Sequence, residues 1–541
     1  MKKTFNIVAA CCCAMAVGLS ACVGDLDVKP IDPNVKQEFD QDAVFAKIYA
    51  TLGLTGQRGP ADDGDVDGID EGTSSFYRMS WSLNEFPTDE VWWVWPDAGI
   101  PDINSLSWSS SNNLVTGLYY RLYFDITLCN LFLEETDGQS DAKTTQQRTE
   151  VRFLRALNYY QLLDMYGSGV PFAQKVGEIP MPITRAQLFD WLVLELTQME
   201  PLLPADGTKL VYYRVDQVAA WLLLARIYLN AEVYTGTPDW SNAALWAGKA
   251  MASSYELAPV YKHLFMADND KTGAPLNLAS REIVLPIAQD GIETQSWGGS
   301  LFLLASPQMN GMNYNGSSAQ WACFRSKTNL VEQWFSLTAA ASIKADENAM
   351  PAIAGDDRCL LVSEVKDADG NATYQASLTG GAGTGDAAFI TGWGIAKFKN
   401  IYVSGAAPRN SEQPDMDIPY LRLAEAYLTY AEAVTRGGTA TNGTALDAVN
   451  ALRNRAHATP WTAADLTLDN LLAEWSREFY AEGRRRSDLV RFNKFAGNVS
   501  YNWEGKGKAA TGTNVDAKHN VYPIPYSDLT ANANLSPTEG Y

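Results

Sequence analysis

A cluster of tryptophans in residues 88–96, TDEVWWVWP, is the part of the sequence best suited to holding a ligand. Trp92, Trp93 and Trp95 fall within four positions, and an indole ring offers a flat apolar face that can stack on the C–H surface of a sugar ring. A buried strand is the other interpretation, in which Trp93 and Trp95 would share one face and Trp92 would take the other. Because prolines bracket the run, we expect an ordered loop rather than a core strand.

Polar side chains that precede the tryptophans could complete a small-ligand site. Such sites usually combine an apolar platform with a few well-placed polar groups. Asp70 and Arg78, in the segment GIDEGTSSFYR, could supply the polar part. From the residues alone, core packing and a glycan platform both stay open as interpretations of the tryptophan cluster.

Catalytic motifs are scarce in this sequence. The three histidines, His263, His457 and His519, lie far apart, and the sequence contains no HExxH, GxSxG, Walker A or dinucleotide-binding motif. We therefore expect neither enzyme activity nor a cofactor. A glycosidase needs no more than two carboxylates at a suitable separation, which an acidic chain supplies in number, so a surface glycoside hydrolase stays an alternative.

Two acidic stretches partly match a calcium-binding loop. In DDGDVDGIDE, Asp63, Asp65 and Asp67 fit the first half of an EF-hand loop, but Ser74 stands where a bidentate glutamate is required. The second stretch, DNDKTG at residues 268–273, fails at the same end. We expect solvated acidic loops in both places, with a structural calcium ion as the alternative.

The N-terminus is typical of a bacterial lipoprotein. Two lysines precede the apolar run FNIVAACCCAMAVG, which is too short to span a bilayer, and the next four residues, LSAC, resemble a lipobox. We expect a signal peptide over residues 1–21, lipidation of Cys22 and a polar tether over residues 22–40. An ordinary secretory signal is the alternative. The expected mature protein is attached to a membrane through its lipid alone.

Charge and cysteine content limit the partners. The net charge is −21, and removal of the signal peptide deletes two lysines and no acid, which makes it −23. Such a chain repels nucleic acid and anionic lipid, so we expect neither as a partner. Beyond Cys22, the cysteines Cys129, Cys323 and Cys359 form no CxxC pair, and we expect three buried thiols, with one disulfide as the alternative.

The elements that must position these residues are mostly helical. Apolar residues recur at three- and four-residue spacing in segments such as EVRFLRALNYYQLLDMYG and VDQVAAWLLLARIYLNAEVY. The segments pair in a pattern that approximates tetratricopeptide repeats without their fixed period. We predict one body over residues 41–541, with about four helix pairs and a large loop-rich lobe that carries the site. The expected ranges are about 41–60, 114–265 and 415–500 for the helical scaffold, and about 61–113 and 285–414 for the loop-rich lobe.

Several segments together resemble the SusD/RagB family of outer-membrane lipoproteins. They follow the family's order over nearly the whole mature chain: FYRMSWSLNEFPTDEVWWVW, GLYYRLYFDITLCNLFL, EVRFLRALNYYQLLDMYGSGVPF, DIPYLRLAEAYLTYAEAV, EWSREFYAEGRRRSDLVRF and YPIPYSDLTANANLSPTEGY. The resemblance implies a scaffold of four tetratricopeptide-like helix pairs and an irregular lobe with the ligand site. It further implies a non-catalytic lipoprotein, facing the cell exterior, that binds oligosaccharide and covers a SusC-like TonB-dependent transporter.

The same resemblance assigns residues to the ligand site. It implies an α-glucan such as starch or a maltooligosaccharide, with another neutral glycan, or a peptide as in RagB-type members, as alternatives. The assigned residues are Asp70, Arg78, Trp93, Trp95, Trp297 and Trp321.

An arginine-rich segment near the C-terminus is expected to be structural. Arg484–Arg486 and Arg491 follow a helix that contains Glu474, Glu478 and Glu482. Intrahelical and interhelical ion pairs explain the arginines better than phosphate binding does.

Overall fold

Helices dominate the part of the chain that the computed structural model describes, with eighteen α-helices and twelve short strands. The described residues are 39–58, 60, 62–270, 277–309, 311–312, 315–378 and 391–541. The signal peptide, Cys22 and most of the tether therefore lie outside them. The chain divides into a unit of residues 1–44 and a unit of residues 45–541, and all contacts given below belong to the second unit.

The helices follow one another through the chain with two long interruptions. In order they are α1 (Gln41–Ala50), α2 (Phe76–Glu85), α3 (Ile100–Asn104), α4 (Asn113–Glu135), α5 (Ala142–Gln161), α6 (Arg185–Met199), α7 (Gln217–Leu229), α8 (Ala231–Thr235), α9 (Trp240–Met251), α10 (Ser300–Ala305), α11 (Thr328–Val331), α12 (Leu337–Ala340), α13 (Met350–Ala354), α14 (Ala424–Thr435), α15 (Ala445–Arg455), α16 (Leu468–Phe479), α17 (Arg485–Arg491) and α18 (Tyr526–Ala531).

The strands are short and pair two by two, always antiparallel. In order they are β1 (Gly56–Arg58), β2 (Asp62–Gly64), β3 (Val91–Trp93), β4 (Val170–Phe172), β5 (Met181–Ile183), β6 (Ile283–Ile287), β7 (Phe324–Ser326), β8 (Leu361–Val362), β9 (Glu364–Lys366), β10 (Ala372–Gln375), β11 (Gly394–Ile395) and β12 (Ile418–Arg422). The pairs β1–β2, β4–β5 and β9–β10 join neighbouring strands, whereas β3–β7, β6–β12 and β8–β11 join distant parts of the chain.

The long helices pack on one another and confirm the predicted helix-pair scaffold. Helix α5 packs on α4 and α6, and α9 packs on both α7 and α14, so the C-terminal helices continue the layer that the earlier ones begin. Small residues make this close packing feasible: Ala243, Ala244 and Ala247 on α9 are fully buried. The helices begin at side-chain caps, as at Asn112, whose side chain accepts hydrogen bonds from the first backbone N–H groups of α4.

The tryptophan run corrects one sequence prediction. Val91–Trp93 form strand β3, paired with β7 so that Trp93 lies opposite Phe324, and Trp92 and Trp93 are each 5% exposed. The expectation of an ordered loop was therefore wrong for these three residues. Strand pairing satisfies the backbone groups that a buried loop would leave unpaired. The chain leaves the strand after Trp93, and Trp95 is 43% exposed.

The C-terminal arginines form ion pairs within and between helices, which confirms the structural interpretation of this segment. Each makes a short contact with a carboxylate: Arg484 with Asp488, Arg485 with Asp89, Arg486 with Asp164 and Arg491 with Glu432. Glu474, Glu478 and Glu482 pair mainly with arginines from distant segments, including Arg358, Arg422, Arg453 and Arg455. Chain topology, rather than sequence proximity, therefore decides which of these charges meet.

The three predicted thiols are buried and free. Cys129, Cys323 and Cys359 form no disulfide, which confirms that expectation. Within the described residues, no helix combines the length and the apolar character that crossing a bilayer requires.

Candidate functional site

A cavity of about 680 Å³ is lined by all six residues that the sequence analysis assigned to the ligand site. Asp70 precedes α2 and Arg78 lies in its first turn. Trp93 and Trp95 come from the β3 segment, and Trp297 and Trp321 from the segments on either side of α10. A cavity of this size is within the range of small-molecule sites in proteins. The fold thus brings together residues that lie more than two hundred positions apart.

The tryptophan-bearing strand is fastened to the helical scaffold just before the cavity. Asp89 lies two residues before β3, and its carboxylate accepts two hydrogen bonds from Arg485 of α17, at 2.7 and 2.8 Å. The next residue, Glu90, accepts from the Ser476 hydroxyl at 2.6 Å and from the Ala481 backbone at 3.2 Å. These buried, charge-assisted contacts fix the strand before the chain reaches Trp93.

Trp93 forms a wall of the cavity more than an open platform. Its ring packs almost parallel to Phe302, with centroids 5.9 Å apart and an interplanar angle of 23°. Its indole N–H donates to the Asp97 carboxylate at 2.8 Å. Trp92 lies outside the cavity wall, with its ring under the Lys327 ammonium at 4.5 Å. Alternation along the strand thus separates the two tryptophans, as the strand interpretation predicted.

Three further tryptophans present ring surface to the cavity. Trp95 is 43% exposed and Trp297 is 40% exposed. Trp321 lies beside Trp297, with ring centroids 6.4 Å apart and an interplanar angle of 65°. The indole N–H of Trp95 donates to the backbone carbonyl of Trp321 at 2.9 Å, which holds these two segments together. The exposed rings therefore line a curved wall rather than a flat one.

Arg78 connects the segments that carry the tryptophans. Its Nη1 donates to the carbonyl oxygens of Gly72, at 3.1 Å, and Trp297, at 3.2 Å. Its guanidinium carbon lies 5.4 Å from the Trp321 ring centroid and 4.8 Å from that of Phe302, within the range of cation–π contacts. Burial lowers the pKa of Arg78 from its ordinary value, a shift that the nearby carboxylates Asp70 and Asp97 oppose.

Acidic and amide side chains complete the cavity wall. Asp70 is exposed and accepts a hydrogen bond from the Thr73 hydroxyl at 3.0 Å. Sequence reasoning missed four acidic or amide residues of the wall: Asp97, Asn113, Gln320 and Glu412. Asp97 and Gln320 could have been found from their position next to predicted tryptophans. Asn113 and Glu412 carry no such signal, since tertiary packing alone brings them to the cavity.

In the first acidic stretch that resembles a calcium loop, Asp65 forms ion pairs within the fold. Asp65 is not solvated as expected, since its carboxylate pairs with Lys47 at 2.7 Å and with Arg121 at 3.0 Å. Part of the second stretch, residues 271–276, lies outside the described residues. Where the chain is described, no group of three histidine, cysteine or acidic side chains is arranged to hold a metal ion.

Two family models match separate parts of the chain. The model of the SusD family matches residues 306–541. A second model, described as starch-binding and associating with the outer membrane, matches residues 26–229. The six predicted ligand residues divide between these matched regions, except for Trp297.

A close relative spans the full length of the chain. The starch-binding protein SusD of Bacteroides thetaiotaomicron is 41% identical and covers 100% of this chain and 99% of its own. A SusD-like protein of Bacteroides ovatus is 22% identical over 72% of this chain and 67% of its own length.

Solved structures share the fold at low identity. Surface glycan-binding protein A from Bacteroides thetaiotaomicron, solved in complex with laminarihexaose, superposes with a TM-score of 0.65 at 18% identity and covers 92% of this chain and 98% of its own. A SusD-like protein from Bacteroides fragilis gives a TM-score of 0.68 at 17% identity, with 95% and 100% of the two chains covered.

Proposed function

This chain belongs to the SusD/RagB family, and we propose that it binds an α-glucan such as starch or a maltooligosaccharide in the tryptophan-lined cavity, without catalysis. The relative that is 41% identical over its full length is a starch-binding protein, which supports a glucan as the ligand. The solved glycan complex at 18% identity supports the fold alone. The glycosidic linkage of the ligand is therefore argued from the geometry of the cavity.

The inclination of the tryptophan rings is the observation that carries the proposal. Trp297 and Trp321 meet at 65° across 6.4 Å, and the exposed Trp95 is tied to the same wall. A flat, ribbon-like glycan stacks best on coplanar rings, whereas an α-linked glucan curves and presents successive sugar faces at an angle. Inclined rings are therefore complementary to a curved chain, and the polar groups of the wall are available to its hydroxyls.

We further propose that the protein is lipid-anchored in the outer membrane through Cys22 and delivers the glycan to a SusC-like TonB-dependent transporter. The match of residues 26–229 to a family described as associating with the outer membrane supports this location. The lipobox-like LSAC supports the anchor, and Cys22 itself lies outside the described residues.

The test asks whether the Trp95 ring binds glucan or only packs within the protein. We would produce the chain from Asp25 onward, without the anchor, and measure retardation in gels that contain amylopectin, a β-glucan or no glycan. Trp95→Ala removes an exposed ring, so we expect the fold to persist and the amylopectin affinity to fall at least about tenfold. Tyr213→Ala is the matched control, because Tyr213 is 51% exposed but is not part of the cavity wall.

The outcomes separate the candidate functions. Retardation by amylopectin that is lost in the Trp95 variant supports the proposal. Retardation by the β-glucan alone would support glycan binding on the tryptophan rings but would show that the ligand is not an α-glucan. New reducing ends released from maltoheptaose would assign the cavity carboxylates to a hydrolase.

A further inference from the structure

An exposed tyrosine lies near the cavity and takes no part in its wall. Tyr526 is the first residue of α18, and it is 62% exposed. Within the described residues its hydroxyl makes no hydrogen bond, so both the ring face and the hydroxyl are accessible to a ligand. Tyrosine offers a sugar the same combination of apolar face and polar edge that tryptophan does.

The backbone links this tyrosine to the cavity wall. The Tyr526 N–H donates to the Ser110 carbonyl at 3.1 Å. Ser110 is three residues from Asn113, which lines the cavity, and three residues of chain span at most about 11 Å. Asn112, between them, donates to the Gly99 carbonyl at 3.0 Å, next to the wall residue Ala98. A short run of backbone therefore links Tyr526 to the cavity wall.

Side-chain contacts hold α18 in place. The Ser527 hydroxyl bonds to that of Tyr120, and the Asp528 carboxylate accepts from the Tyr119 hydroxyl. The Asn532 amide donates to the Pro180 carbonyl at 2.9 Å. Because helix α4 and the β4–β5 hairpin support α18 in this way, Tyr526 is a positioned ring on a rigid element rather than a side chain on a loose terminus.

We propose that Tyr526, together with the serine segment 109–111, forms an outer subsite for a glucan chain that extends beyond the cavity. Ser109 and Ser111 are exposed and flank Ser110, whose carbonyl accepts from the Tyr526 N–H, so their hydroxyls are available as polar partners. The subsite rests on the proposed function, since its ligand is the part of the same polysaccharide that the cavity cannot contain.

The subsite predicts a dependence on ligand length. A short maltooligosaccharide is contained by the cavity, whereas a polysaccharide held there extends across Tyr526 and gains a second contact at high local concentration. Removal of the ring should therefore weaken polysaccharide binding by about three- to tenfold and leave the affinity for a short ligand unchanged.

The experiment measures amylopectin and maltotriose binding by isothermal titration for the wild-type protein, Tyr526→Ala, Tyr526→Trp and Tyr213→Ala. We expect a loss in Tyr526→Ala for amylopectin alone, retention in Tyr526→Trp, and no change in the exposed-tyrosine control. Equal melting temperatures in all four proteins would show that the fold is intact.

Two results would overturn the subsite. Unchanged amylopectin affinity in Tyr526→Ala would show that the Tyr526 ring does not contact the polysaccharide. Equal losses of affinity for amylopectin and maltotriose would show that the substitution acts on the cavity itself. A wild-type protein that binds neither ligand would overturn the proposed function itself, which is a separate outcome from a defect confined to the variant.

Discussion

Arg78 is the side chain that contacts all three tryptophan-bearing segments of the cavity wall. Its guanidinium donates to the Trp297 carbonyl and lies over the rings of Trp321 and Trp93. Lysine has no planar fork and cannot reproduce this set of contacts, so Arg78→Lys should behave almost like Arg78→Met. We expect both variants to lose about tenfold or more in glucan affinity, with a changed tryptophan fluorescence spectrum, because the rings lose their common support.

The control for this prediction is Arg148→Met. Arg148 also donates to a backbone carbonyl, that of Leu133, at 2.7 Å, but it does not line the cavity. Its replacement should leave affinity and the fluorescence spectrum unchanged. If Arg78→Lys bound glucan as tightly as the wild-type protein, a single positive charge would suffice and the bridging role would be wrong.

At the scale of elements, the β3–β7 pair carries a buried lysine directly behind the tryptophan strand. Lys327 follows β7, donates to the Thr88 carbonyl and lies over the Trp92 ring. Burial lowers its pKa to about 7, although Asp89, Glu504, Glu85 and Glu90 around it oppose the shift. The unfolded chain holds this proton up to a pH near the ordinary pKa of 10.5.

The stability of the fold should therefore depend on pH through Lys327. Between pH 7 and 10.5 the unfolded state binds more protons than the folded state, so the contribution of Lys327 to stability rises with pH across that window. Below pH 7 both states hold the proton, and the full cost of the buried charge is present. Urea unfolding at pH 7 and 9 should show the wild-type protein gaining about 1 kcal/mol per pH unit relative to Lys327→Met. Parallel stabilities of the two proteins would contradict the assignment.

The whole molecule is acidic, and the cavity wall shares that character. The net charge is −21, and Asp70, Asp97 and Glu412 line the wall beside a single arginine that is stacked on rings. Carboxymethyl amylose should therefore bind more weakly than amylose of equal length. Added salt should strengthen its binding and leave that of amylose unchanged, because screening acts on charge alone.

Glu412→Gln tests the contribution of the wall itself. The variant should bind the carboxymethylated chain more tightly than the wild-type protein does, with an equal affinity for neutral amylose. Carboxymethyl amylose that binds as tightly as amylose at low salt would show that the acidic wall does not select against charged glycans.

Sequence patterns predicted the helical scaffold and the six residues around the cavity, for different reasons. The scaffold followed from apolar periodicity, which is a local property. Trp297 and Trp321 followed from family resemblance and not from spacing. The sequence could not predict that Asp89 pairs with Arg485, or that Glu412 lines the cavity, since such contacts depend on how distant segments pack. The strand at Trp92 and Trp93 was missed because its partner, β7, lies far along the chain.

The indole N–H groups of Trp93 and Trp95 both find their partners inside the wall, at the Asp97 carboxylate and the Trp321 carbonyl. Each ring is thus set before any sugar arrives, and the protein has little motional freedom left to surrender on binding. The entropy lost on capture then belongs mostly to the polysaccharide. The affinity should therefore depend on the stiffness of the glucan chain as well as on its hydroxyl pattern.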